Sequence, residues 1–302
     1  MERRSTHHAQ TAINRRQLVA GLGAGALLSA PAVSASGARL PADLADPVAN
    51  LRAYVKLRAD LSGAAAYSGA AGEAWAWVPG EGTVLMFRTW TVGVSRAVPM
   101  ESGWRLDHHE LTWYLDPATG RILEDWANPL TGELVRVHRA LDQAASRQLD
   151  PAQGPVPFEV RGDDLVFSSS EFSDGPAVLS RAAFPREAQH DWRQAGELRG
   201  LIGRCAEVAD PALASARSIT SWSRITQWLP FMEMGNRPGV LIQHAHLHKL
   251  MDGVAGIPAE LLAHAERHHP GLLARPVESL ATVDGHASGL LARSGGPQRK
   301  SG

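Results

Sequence analysis

The sequence has a single cysteine, Cys205, which excludes an internal disulfide and leaves a small buried apolar role for that thiol. It has no excess of either charge, because 30 lysines and arginines stand against 31 aspartates and glutamates. Such a balance gives no electrostatic footprint for nucleic acid or an anionic lipid surface. Long apolar runs are missing too. The stretch Leu18 to Leu28 is diluted by Gly21, Gly23 and Gly25 and is too short to span a bilayer, so no stable membrane anchor is expected. There is no G-x-S-x-G elbow, P-loop, dinucleotide fingerprint or H-E-x-x-H, which argues against the hydrolases, kinases and nicotinamide dehydrogenases built on those motifs.

What is present begins with an address. Residues 1–37 read as a twin-arginine signal peptide: Arg15 and Arg16 form the basic front, the short apolar core follows, and small residues around Ala35 offer cleavage sites. The expectation is export of folded cargo by the twin-arginine machinery to a periplasmic or secreted location. Removing the leader, with Arg3, Arg4, Arg15 and Arg16 against Glu2, leaves about 265 residues with a net charge near −4. That is enough for one well-buried domain, expected over 38–278. Residues 279–302 have little apolar periodicity and read as a disordered tail.

Within the body, Asp46 as cap and Pro47 at the first helical position predict a helix to about Leu61. From Glu73 to Ala140, runs of β-branched, aromatic and alternating residues are separated by turn signals. The expected strands are Ala74 to Val78, Thr83 to Val98, Gly103 to Leu115, Arg121 to Trp126 and Glu133 to Ala140. Two turns share a D/N-P-x-T-G form, Asp116 to Gly120 and Asn128 to Gly132, with proline presetting the backbone and glycine taking the positive-φ exit. After a connection over Asp142 to Pro157, strands are expected at Phe158 to Val160, Leu165 to Ser169, Val178 to Phe184, Gln194 to Val208, Ile219 to Trp228 and Gly239 to Leu250. A last helix follows over Pro258 to His268. Many strands, short turns and no βαβ alternation predict a mainly β fold, a single antiparallel β-barrel or strongly curved sheet like a lipocalin meander, with flanking helices. A barrel of that size has a lumen able to hold a small apolar ligand.

Two histidine clusters are the candidate chemistry. In the segment Gln243 to Lys249, His244, His246 and His248 fall two apart, so on a strand they share one face at roughly 6 to 7 Å spacing. Neighbouring imidazoles at that spacing suit Zn²⁺ or Fe²⁺, with a further ligand from another strand. In Asp107-His108-His109-Glu110, alternation puts Trp104, His108, Glu110 and Tyr114 on one face, and Asp107 and His109 on the other. Either His–carboxylate pair suits general acid–base work. Arg88 with Trp90, Trp104, and Arg136 with His138 are candidate ligand-binding residues, since an inward arginine in a barrel binds a carboxylate and tryptophan supplies apolar surface.

The run Trp113 to Glu133, with both D/N-P-x-T-G turns, resembles the uncharacterised bacterial and fungal family DUF1838, as does Trp228-Leu229-Pro230-Phe231-Met232-Glu233-Met234-Gly235-Asn236-Arg237-Pro238-Gly239. Asn50-Leu51-Arg52 and Val78-Pro79-Gly80-Glu81 extend the resemblance over nearly the whole mature chain. Twin-arginine leaders are frequent in that family. The resemblance implies no established activity and no catalytic residues.

Together these observations predict an exported enzyme acting on a small, largely apolar molecule, of lyase, isomerase or cyclase type. His108, Glu110, Tyr114, His244 and His246 are its candidate catalytic residues. Two alternatives stand beside it. One is a Zn- or Fe-dependent enzyme with His244, His246 and His248 as ligands, and the other is a non-catalytic, lipocalin-like carrier of an apolar ligand.

Overall fold

The computed structural model describes residues 43–137, 145–172 and 194–281. The leader, His138, the expected strand from Val178 to Phe184 and residues 282–302 lie outside the described residues. In chain order the elements are α1 (Pro47–Arg58), β1 (Ala66–Val78), β2 (Gly82–Pro99), β3 (Trp104–Leu115), β4 (Asp125–Ala127), β5 (Leu134–Arg136), β6 (Ala145–Leu149), β7 (Phe158–Arg161), β8 (Asp164–Phe172), β9 (Gln194–Arg204), α2 (Cys205–Ala209), β10 (Ser218–Thr226), β11 (Val240–Leu250), α3 (Ala259–His268) and α4 (Pro276–Ala281). Residues 279–281, expected in the tail, complete α4.

Nine strands form one antiparallel sheet in the order β6-β3-β2-β1-β11-β10-β9-β8-β7, and β4 and β5 make a separate ribbon. The first strand of the sheet pairs with the last, Tyr67 opposite Leu250 and Trp77 opposite Val240. That pairing joins an N-terminal meander to a C-terminal one. The sheet is not a barrel, because its edge strands β6 and β7 do not pair with each other. Hairpin signals are the same in open and closed sheets, so the sequence pattern could not separate them. Both edges are short, five and four residues, one of the ways open sheets limit edge-to-edge association.

The pleat divides the side chains between two faces. On the front face lie Ala97, Ser95, Gly93, Thr91 and Phe87 of β2, opposite Leu106, His108, Glu110 and Thr112 of β3 and Ala74 of β1. One end of this face is covered by α1. Asp46 caps the helix by accepting from the Ala49 N–H at 3.2 Å, with Pro47 behind it, as the sequence predicts. Leu51, Tyr54, Val55 and Leu57 then pack with Ala97, Leu106, Leu165, Phe167 and Leu201. Gly203 allows this approach: a β-carbon there would run into the Leu57 side chain.

The other end of the front face is covered by the β4–β5 ribbon and the turn Pro230–Met232, where Trp126, Val135, Phe231 and Met232 pack on Phe87, Ala74 and Leu241. Both D/N-P-x-T-G turns form as expected. Asp116 accepts from the Ala118 and Thr119 amides, Gly120 and Gly132 take φ of 73° and 76°, and Asn128 Nδ2 donates to the Met232 carbonyl at 2.8 Å. On the back face, Val92, Val94, Leu111 and Trp113 are buried under α3 and the segment after it. No helix among the described residues is long and apolar enough to cross a membrane.

Candidate functional site

Between the two covered ends, the middle of the front face is polar. Its floor is made of small residues, Ser68, Ala70 and Gly72 of β1, Gly93 of β2 and Ala245 of β11. His108, Glu110 and Tyr114 of β3 rise on one side. Across the floor stand Trp222 and Arg224 of β10, with Glu197 and Arg199 of β9 beside them in register. Small side chains in the centre and long ones at the flanks leave a recess. His108 and Glu110 keep 21% and 38% of their side-chain surface accessible, so solvent and a ligand can reach them.

The recess brings together groups whose proton affinities are displaced. His108 Nδ1 is 2.9 Å from the Ser95 hydroxyl, and its Nε2 is 3.9 Å from Glu110 Oε2. Burial lowers the imidazole pKa, Arg58 and Arg199 lower it further, and Glu110 opposes them, so His108 is neutral at neutral pH. Burial would raise the Glu110 pKa, but His108 and the cations Arg224 and Arg199 outweigh it and bring it down to about 2. Glu110 is therefore an anion throughout the neutral range. Tyr114 is pushed up to about 12, chiefly by burial, and stays a proton donor between the rings of Phe87 and Phe231, each 5.1 Å away. Arg224 donates twice to Gln243 Oε1, at 2.9 and 2.6 Å, and lies 4.8 Å over the Trp222 ring. Arg199 pairs with Glu197 at 2.6 Å.

Of the expected catalytic set, the sheet unites His108, Glu110 and Tyr114 and separates His244 and His246 from them. The latter two lie on the back face, because the β1–β11 register turns Gln243, Ala245, Leu247 and Lys249 to the front. His244, His246 and His248 are all exposed. The Nε2 atoms of His244 and His246 are 3.1 Å apart and Ser223 Oγ is 2.8 Å from His244 Nδ1, the geometry of a hydrogen-bonded surface pair. His248 is not part of any metal-ligating group of three among the described residues.

The expected ligand-binding residues do not line the recess. Arg88 is exposed on the back face opposite Glu73, and Trp90 lies there with its ring 5.9 Å from that of Trp113. Trp104 packs against the cluster under α1, and Arg136 is on the ribbon beside Glu124 and Asp125. In the second His–carboxylate pair, Asp107 is buried and held by Arg105 at 2.9 Å and Ser146 at 2.7 Å, so that carboxylate is engaged by its own strand and its neighbour.

Sequence reading missed Ser95, Arg58, Arg199, Arg224 and Gln243. The last three would have followed from extending the two-residue alternation across every strand that pairs around β1. Arg58 carries no such signal, since it reaches the recess from the end of α1.

One three-residue group with metal-ligand reach does occur among the described residues, Glu124, His264 and His268. The Trp113 indole donates to His264 Nδ1 at 3.1 Å. A neutral imidazole that accepts at Nδ1 carries its proton on Nε2, so His264 presents Glu124 with an N–H, 3.6 Å from Oε1, and not with a lone pair. The donor set does not fit a cation.

A family model described as "Protein of unknown function (DUF1838)" matches residues 65–286. The chain belongs to the DUF1838 family. No curated protein matches the sequence. The matched region of this DUF1838 chain holds the whole sheet, the floor of the recess and both of its walls, whereas α1 with Arg58 precedes it. Within it, the segment Trp228 to Gly239 builds the cover at the ribbon end of the recess. Trp228 Nε1 donates to the Arg237 carbonyl at 2.8 Å, and Arg237 grips Glu81 through both carboxylate oxygens.

Proposed function

We propose that this chain is an enzyme that moves protons on a small molecule held in the front-face recess, of lyase or isomerase type, with His108 as the acid–base group. The observation that carries the reading is the setting of His108, a neutral imidazole fixed by a hydroxyl on one side and facing an ionised carboxylate on the other. When Nδ1–H donates to Ser95 Oγ, the Nε2 lone pair faces the recess and can take a proton from substrate. Glu110 then stabilises the imidazolium without accepting the proton, since its own pKa is far below. Tyr114 remains protonated and is a donor for negative charge developing on a substrate oxygen. Because charged groups rather than apolar side chains line the recess walls, the proposed substrate is a polar small molecule rather than a largely apolar one. The twin-arginine pattern of residues 1–37 supports a place of action outside the cytoplasm.

A screen of small hydroxy, keto and unsaturated acids for hydrogen–deuterium exchange or elimination tests the reading. His108→Asn is expected to abolish turnover, and Tyr114→Phe to lower it by about 10²- to 10³-fold. Turnover that survives His108→Asn would refute the assignment. Ligand binding with no turnover in the wild type would make the protein a carrier.

A further inference from the structure

Arg58 ends α1 over the recess, and nothing in the proposed proton transfer uses it. Arg58 is partly buried, and its titratable neighbours there are Tyr54, Arg199, Glu110 and Arg147. The Nε–H is buried without a hydrogen-bond partner, and among the described residues no carboxylate forms an ion pair with Arg58. Both facts are costly. A buried donor left unmade loses its hydration without return, and a buried cation without a counter-ion loses more. Arginine does not escape by giving up its proton, so a charged fork of donors remains there.

Among the described residues the surroundings do not supply the missing anion. Glu197 is spent on Arg199 at 2.6 Å, and Glu110 faces His108 at 3.9 Å. Lys249, also on the front face, donates to the Lys56 and Ala59 carbonyls at 2.8 and 2.5 Å and so ties α1 to β11. Arg58, Arg199 and Arg224 thus stand against Glu110 and Glu197, with Lys249 adding to the cationic side.

We propose that the recess holds a small oxyanion, the carboxylate or phosphate group of the substrate, on the Arg58 guanidinium. A planar fork of N–H donors suits two oxygens of one such group. The group sets the rest of the molecule over His108 Nε2 and Tyr114. This inference deepens the proposed acid–base function and names the substrate class of that same site. Anion binding is read without turnover, so the two can fail separately.

The test is calorimetric titration of the full chain with benzoate and with inorganic phosphate, each against sodium chloride at matched ionic strength. One of the two is expected to bind with unit stoichiometry, and which one identifies the group as carboxylate or phosphate. Arg58→Gln is expected to weaken that binding at least tenfold, Arg58→Lys to recover part of it, and Gly200→Ala, outside the recess, to change it less than threefold. As a measurement that needs no variant, the Arg58 Nε–H resonance of the wild type should shift on titration with the bound probe. The proposal is overturned if neither probe binds above chloride, if Arg58→Gln binds like the wild type, or if the Nε–H resonance stays still while a probe binds. Loss of turnover in His108→Asn together with unchanged probe binding in Arg58→Gln would leave the acid–base reading standing and remove this one.

Discussion

The imidazole of His108 lies over Gly93, and the missing side chain is what makes room for it. A β-carbon at Gly93 would stand 2.9 Å from His108 Cε1 and 2.7 Å from the Ser68 hydroxyl. Gly93→Ala should therefore push the ring off its Ser95 contact and lower stability by about 1 to 3 kcal/mol, as overpacking does. Gly200→Ala, on β9 with nothing within 4 Å of the added carbon, should stay within about 0.5 kcal/mol of wild type. Urea melts of both variants and the His108 ring resonances check this. Equal effects at the two glycines would contradict it.

The charges around His108 predict the direction of its titration in three proteins. In the wild type its pKa lies below the ordinary 6.5, burial being the first cause. Glu110→Gln removes a group that raises it, so the pKa should fall further. Arg58→Gln removes a group that lowers it, so the pKa should rise. Histidine NMR titrations read all three, and the acidic limb of any rate profile should move with them. A rise on Glu110→Gln would mean that Glu110 does not face the ring in solution.

Glu110 also links stability to pH. Its pKa in the fold is about 2 against an ordinary 4.5, so above about 4.5 it is ionised in both states and its stabilisation is complete. As pH falls from 4.5 towards 2 the unfolded chain takes the proton first, and the stabilisation is lost. Because the side chain is more than a third exposed, screening reduces the effect to about 1 to 2 kcal/mol at pH 7. Denaturant melts of wild type and Glu110→Gln at pH 7, 4 and 3 should show the gap closing on acidification. A gap that widens would reverse the sign.

Leu57 of α1 and Gly203 of β9 form one complementary pair in the seating of α1 on the sheet. Leu57→Ala should cost about 2 to 5 kcal/mol and Gly203→Ala about 1 to 3. In the double variant the added methyl moves into the space the leucine leaves, so the combined loss should fall short of the sum by 0.5 kcal/mol or more. Strict additivity would show that the two residues do not meet.

On the back face, Trp113→Phe leaves His264 Nδ1 buried and without its donor, at a cost of about 1 to 3 kcal/mol. Since the wild-type tautomer keeps the Nε2 proton, stoichiometric Zn²⁺ should not raise the melting temperature of the wild type. A rise that disappears in His268→Ala would overturn the tautomer assignment.

The parts of the site that the sequence made legible are those governed by strict alternation. His108, Glu110 and Tyr114 fall together because β3 is regular from Trp104 to Leu115. One residue of phase decides the rest. Reading His244 and His246 as partners of His108 needs the register of β1 against β11, a long-range pairing that local periodicity does not contain. The start of β1 was hidden for a different reason. Its segment Ala66 to Gly72 is alanine, glycine, serine and tyrosine, mostly poor strand formers, so the pattern becomes visible only from Ala74. Those same small residues are the floor of the recess. The feature that makes room for a ligand is the one that erases the strand signal.

The union of β1 with β11 also sets the order in which this protein comes into being. Until Leu250 has left the ribosome, Tyr67 is paired only on its β2 side, with Val94, and the N-terminal meander keeps an open row of amides and carbonyls along β1. Closing that seam carries a large loop-closure entropy, so it belongs late in folding and makes the reaction slow. A chain cut short before Val240 loses not an edge strand but the middle of its sheet, and no backbone ladder then joins its two halves.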